Sequence, residues 1–160
     1  MIVQGNRVGR ILRLLVHWRY REGYARLAEL KPEDIVRVHD EAAKIGRTEA
    51  FGIREIGTIE YLSDTILSMA FDRFPPIKIA AFAMRFLVSE QAFWDANHRT
   101  GFEGAQMILR VFRLRMGTTM NDAAPFVRSI DFRSLSEKEV RRWIRKRIRR
   151  IPKLRRRGFH

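Results

Sequence analysis

The chain has 160 residues, no cysteine and a formal net charge of +14. That length fits one domain with a real core, and the lack of thiols excludes disulfides and thiolate chemistry and suits a reducing cytoplasm. No apolar run approaches the roughly 20 residues of a membrane span, so the expected setting is cytoplasmic, with no membrane partner.

Charge divides the chain. Residues 1–31 hold 7 basic and 2 acidic side chains, and residues 141–157 hold 11 basic and none acidic. The stretch between them is close to neutral, so the basic character belongs to the ends and not to a basic active groove.

In chain order, residues 1–30 read as a basic and apolar extension with helical character. KPEDIVRVHDEAAKIG follows as a helix, with Pro32 and two acids at its start and Ile35, Val38 and Ala42 as its buried stripe. From Thr48 to Gly57 two glycines interrupt any period, which predicts an excursion such as a short hairpin flap before a helix over Thr58–Met69. Pro75-Pro76 opens a richly apolar helix with Ile79, Phe82, Ala83, Phe86 and Leu87 on one face. A second one, TGFEGAQMILRVFRLRMG, carries Ala105, Ile108, Leu109 and Phe112 on its stripe and ends at Gly117.

MNDAAPFVRSIDF reads as a short helix and turn. SLSEKEVRRWIRKRIRRI then opens with Ser136 and Glu139 at capping-box spacing, and Val140, Trp143, Ile144, Ile148 and Ile151 form the stripe of a final helix. With no repeat and no convincing alternating run, the expected fold is all-α, with one domain over 31–152 and a basic tail over 153–160.

Between the two central helices lies QAFWDANHRTG, residues 91–101. Thr100-Gly101 leads into a helix whose first backbone N–H groups can cradle a phosphate, with Arg99 adding a fork of donors. Asp95 can hold Mg²⁺ against the same phosphates, because that ion takes hard oxygen ligands and usually shares them with substrate. The plainer reading is that Asp95 and Asn97 cap the helix while Arg99 is solvated. Chemistry alone leaves both open and favours the plainer one.

The same stretch resembles the signature loop of the death-on-curing (Doc) toxins of the Fic/Doc superfamily, whose pattern is H-x-F-x-D-G/A-N-K-R-T. Phe93, Asp95, Asn97, Arg99 and Thr100 match in order, and the flanking helices extend the resemblance over about residues 31–150. It implies a helical fold whose loop binds Mg²⁺ and a nucleoside triphosphate such as ATP. In the superfamily that loop serves the transfer of phosphate or AMP to a protein hydroxyl. Mapped residue by residue, Asp95 is the metal ligand, Arg99 the phosphate clamp, and Asn97, His98, Arg99 and Thr100 the nucleotide-binding segment. Phe93 anchors the loop, and a flap around Phe51–Glu55 pairs with the target backbone. His98 in place of glycine, and Phe102 in place of a distal arginine, favour the phosphate-transferring Doc side. The partners implied are an antitoxin protein or peptide and a translation-factor target.

One departure matters for chemistry. Gln91 occupies the position of the catalytic histidine, and a carboxamide cannot take the proton of an attacking hydroxyl. Losing a general base costs typically 10²–10⁴-fold, so the expectation is weak or absent transferase activity. The alternative is a non-catalytic binding protein that keeps the fold for a protein partner, another copy of itself, or nucleic acid. For the last, Arg145, Lys146, Arg149 and Arg150 on the outer side of the final helix would neutralise backbone phosphates. Residues 18–23, WRYREG, end like an inhibitory-helix motif in Glu22-Gly23 but lack its Ser or Thr. His17, His39 and His160 read as structural or surface histidines.

Overall fold

Proline and capping signals set most of the helix starts, in a computed structural model that describes residues 18–47 and 52–153. Residues 18–27 are helical (α1). They are followed by α2 (Pro32–Gly46), α3 (Ile56–Phe71), α4 (Pro76–Glu90) and α5 (Asn97–Val111). A short strand β1 (Leu114–Met116), α6 (Met120–Phe132), α7 (Glu137–Arg145) and β2 (Ile148–Arg150) complete the described chain. The fold is therefore all-α with a small antiparallel sheet. None of the described helices is long and apolar enough to cross a membrane.

Local chemistry explains the ends. Pro32 and Pro76 occupy first-turn positions, where a missing N–H costs nothing. The α7 capping box forms as its spacing predicts: Ser136 N–H donates to Glu139 Oε2 at 2.7 Å, and Glu139 N–H donates to Ser136 Oγ at 3.3 Å. The Ser136 N–H bond, with a second from the Ser136 hydroxyl to the same Oε2 at 3.0 Å, holds the Glu139 carboxyl below the usual range.

Helices α4 and α5 are the centre of the core. Ile79, Ala80, Ala83, Met84 and Leu87 of one meet Ala105, Ile108 and Leu109 of the other, all essentially inaccessible to water. Close approach depends on Gly101. A Cβ there would lie 2.7 Å from Val88 Cγ2 and 3.0 Å from the Met84 carbonyl oxygen. Helix α2 lays Ile35, His39, Ala42 and Ala43 inward, with Val38 only half-buried.

Three expectations need correction. The helix after the loop starts at Asn97 and not at Thr100-Gly101, and it stops at Val111. Beyond it Arg113 takes a left-handed φ of 59°, and Leu114-Arg115-Met116 alternates buried, exposed, buried as a strand. The last helix likewise ends at Arg145. Ile148–Arg150 pairs with β1 in the register Leu114↔Arg150, Arg115↔Arg149, Met116↔Ile148, so Arg149 and Arg150 belong to a strand. Residues 18–30, read as part of an extension, share the domain core. Tyr24 and Leu27 are buried, Tyr20 and Tyr24 meet the Phe112 ring edge-on at 5.5 and 4.9 Å, and Tyr24 Oη donates to the Phe74 carbonyl at 2.7 Å. The rest of that extension, residues 1–17 with His17, and residues 154–160 with His160, lie outside the described residues.

The Gly101 contact yields a stability prediction. Alanine at position 101 gains about 1 kcal/mol of helix propensity, but overpacking against an immovable backbone oxygen costs typically 1–3 kcal/mol. Gly101→Ala should therefore lower the urea midpoint. Gly104→Ala meets only the tip of Leu87, with Cδ1 at 2.9 Å, and should be nearly neutral in the same titration. Equal midpoints for the two variants would contradict the close-approach account.

Candidate functional site

The loop from Gln91 to Ala96 is a tight turn held by its own residues. Helix α4 ends with Gln91 in a left-handed conformation (φ 48°), and α5 begins after Ala96 in another (φ 58°). Such a φ is cheapest for glycine, so Ala96 holds the turn at a backbone cost of about 1 kcal/mol. Asn97 is 9% exposed and its carboxamide closes on Phe93. Oδ1 accepts from the Phe93 N–H at 3.1 Å, and Nδ2 donates to the Phe93 carbonyl at 2.9 Å. Its side chain is thus a loop staple, and only its backbone N–H is left for an anion.

A second layer supports the staple from below. The Phe93 ring stacks on the imidazole of His39, with centroids 3.7 Å apart and planes within 4°. Thr100, fully buried, donates from Oγ1 to the Ala96 carbonyl at 2.7 Å and lies 3.1 Å from His39 Nδ1. The hydroxyl has one proton, and a carbonyl can only accept it. His39 Nδ1 is therefore the donor to Thr100, and His39 is the neutral Nδ1–H tautomer. Its Nε2 is buried without a partner among the described residues. Burial lowers its pKa below 6.5, offset in part by Asp40 and Asp95. At 1% exposure His39 is out of reach of an incoming hydroxyl.

The chemistry-bearing groups sit on the outer side of this frame. Asp95 is exposed, and its Oδ1 accepts from the Ala96 N–H at 2.6 Å, which leaves Oδ2 turned to other ligands. Arg99 is half-buried in the first turn of α5, and among the described residues no ion pair joins it to Asp95. The first-turn N–H groups of Asn97, His98 and Arg99 have no intrahelical acceptor, whereas Thr100 N–H bonds the Ala96 carbonyl at 2.9 Å. Thr100 is therefore structural, with both of its donors used internally. His98 turns to α6, its Nε2 lying 3.2 Å from each carboxylate oxygen of Asp131. Gln91 is exposed at the rim.

Among the described residues no group of three His, Cys, Asp or Glu side chains converges on a metal position. A protein cage for an ion is not what the loop offers. One free carboxylate oxygen beside unpaired amides fits Mg²⁺ that arrives with phosphates and completes its shell with water.

Of the flap expected over residues 48–57, residues 48–51 lie outside the described residues, and residues 52–55 form an extended segment laid against the loop rather than a hairpin. Ile53 bridges Phe93 in antiparallel fashion. Flanking bonds run from Trp94 N–H to the Gly52 carbonyl at 3.3 Å and from Arg54 N–H to the Ala92 carbonyl at 2.9 Å. In that pattern Ile53 and Phe93 are the non-hydrogen-bonded pair, so the N–H and C=O of Ile53 point to the opposite edge. That edge has the geometry to accept an extended segment. Glu22, read as part of an inhibitory motif, pairs instead with Arg26 at 2.8 Å on α1, away from Arg99. Gly23 is small because the Phe112 ring fills the space where a Cβ would stand.

Asp131 and the buried role of His39 were missed by sequence reasoning. Residue spacing carried no signal for the first, which lies 33 positions from its partner. No family model and no curated protein matches the chain.

Two measurements check this frame. Asn97→Ala strips both partners from a buried backbone and should cost roughly 1–3 kcal/mol in chemical denaturation. His39 supplies a pH signature. The unfolded chain binds its proton near pH 6.5, the folded chain only at lower pH. This contribution is complete above about 6.5 and is lost as pH falls through the lowered folded value. In His39→Gln the decline in stability below pH 6.5 should be shallower than in the parent protein.

Proposed function

We propose that the chain is a Doc-like member of the Fic/Doc superfamily. Its loop takes a nucleoside triphosphate, with ATP the first candidate, together with Mg²⁺, and its transfer activity is weak or lost. The single observation that carries this reading is the division of labour in the loop. Asn97, Phe93, Thr100 and His39 are spent on rigidity, while Asp95 Oδ2, the Arg99 side chain and the first-turn amides of Asn97, His98 and Arg99 are left without partners among the described residues. A loop serving only as a helix cap would gain nothing from keeping an acid and an arginine apart.

Transfer requires the target hydroxyl to form an O–P bond while the bond to the nucleotide leaving group breaks, and the hydroxyl proton must go to a base. Gln91 can orient the hydroxyl but cannot accept that proton at neutral pH. Neither histidine near the loop substitutes. His39 is sealed beneath Phe93, and His98 is engaged with Asp131. A protein target such as a translation factor would lie on the Ile53 edge, and an antitoxin-type peptide is the matching regulator.

Calorimetry with ATP and Mg²⁺ should detect binding at millimolar nucleotide or below, and Asp95→Ala and Arg99→Ala should each weaken it about tenfold or more. Identical titrations for parent and Asp95→Ala would make the loop a plain helix cap. Gln91→His restores a base at an exposed position and should raise labelled-phosphate transfer to a protein acceptor by roughly 10²-fold or more. Transfer of AMP in place of the terminal phosphate would overturn the assignment to the Doc side.

A further inference from the structure

Basic residues from the two ends of the described chain meet in space. One face of α1, with Trp18, Arg21, Glu22 and Ala25 at helical spacing, forms one wall of a groove of about 690 Å³. The turn after α5 and the segment leaving β2 form the other wall. Arg19, Arg21, Arg113, Arg150 and Lys153 line it, and Trp18 stands at its edge with 77% of its surface exposed. The only acid in the lining, Glu22, is paired with Arg26. Among the described residues no carboxylate lies within ion-pair distance of any of the five cations.

This groove is built, not incidental. Tyr20 and Tyr24 dock α1 on the Phe112 ring, which also forms part of the groove floor. The far wall is tied by Ile151 N–H to the Arg113 carbonyl at 2.8 Å, and by Arg113 Nη2 to the Pro152 carbonyl at 3.0 Å. Five cations held apart on a fixed frame, without internal counterions, repel one another and favour a ligand of repeating negative charge. An exposed indole beside them adds a stacking platform that only an unpaired base can use. Among the described residues α1 adds only Ala25 to Trp18 as an apolar side chain in this groove, too little for a lipid surface to take up.

We infer that the groove between α1 and the segment after β2 binds single-stranded nucleic acid without sequence preference, phosphates on Arg19, Arg21, Arg150 and Lys153 and a base on Trp18. The site is separate from the α4–α5 loop and stands or falls independently of the nucleotide reading. It also relocates the nucleic-acid contact expected for the basic C-terminal segment. Of Arg145, Lys146, Arg149 and Arg150, only Arg150 lines the groove.

Fluorescence anisotropy of the full chain with a labelled oligothymidine or oligouridine of about 12 nucleotides tests it, since one binding fold covers roughly that length. Binding should weaken as salt rises, with a log–log slope of roughly −2 to −3 for three to four phosphate contacts. Trp18→Ala should weaken binding at least about fivefold and Trp18→Phe should restore most of it, because stacking needs only a ring. Arg21→Glu with Arg150→Glu should cost about tenfold or more, while Arg145→Glu with Lys146→Glu, the same charge change outside the groove, should cost about twofold or less. Several results would overturn the proposal: no binding at low salt, equal losses in the two charge-reversal variants, or indifference to Trp18. Tighter binding of a duplex of the same length, or capture by anionic lipid vesicles without oligonucleotide binding, would do the same.

Discussion

A single buried carboxamide organises the region where α4 hands over to α5. The bridge between Ile53 and Phe93 turns the N–H and C=O of Phe93 away from the neighbouring segment and toward the protein interior. Unsatisfied, that pair of groups would cost several kcal/mol. Asn97 answers both at once, as donor and as acceptor, from the first position of α5. Aspartate would lack the donor and leucine would lack both. The position of the Phe93 ring over His39, the left-handed turn at Ala96 and the start of α5 all follow from this closure.

The same turn separates two charges. Asp95 and Arg99 are four residues apart and of opposite charge, a spacing that on a continuous helix would let them pair. The left-handed residue between them interrupts the helix and Asp95 bends onto the Ala96 N–H, and no ion pair joins the two among the described residues. Gln91 is outside this network, at the left-handed end of α4. Its side chain makes no hydrogen bond among the described residues, so replacing it leaves the Asn97 closure intact.

A polar turn between two buried helices was legible in the sequence because its determinants are local. Phe93 and Asn97 bond within four residues of each other, and Pro75-Pro76 and the Ser136–Glu139 box mark helix starts by contacts one turn long. What stayed hidden depends on distant partners. Leu114–Met116 and Ile148–Arg150 are strands of three residues that exist because each supplies the other's hydrogen bonds across more than thirty positions. Read alone, IRKRIRRI continues the period of α7. His39 sits beside two acids, as a surface residue would, but Phe93 and Thr100 enclose it from across the fold. His98 found Asp131 instead of a phosphate for the same reason.

Helix α5 has 15 residues, so its two ends are about 22 Å apart. The Asn97 turn is at one end and the Phe112 platform just beyond the other, with a close-packed rod between them and no shared side chain. Perturbations that far apart add without coupling. A substitution in the Asn97 turn and one at the Phe112 platform should therefore change stability as two independent sums, although both sit on one hydrophobic core.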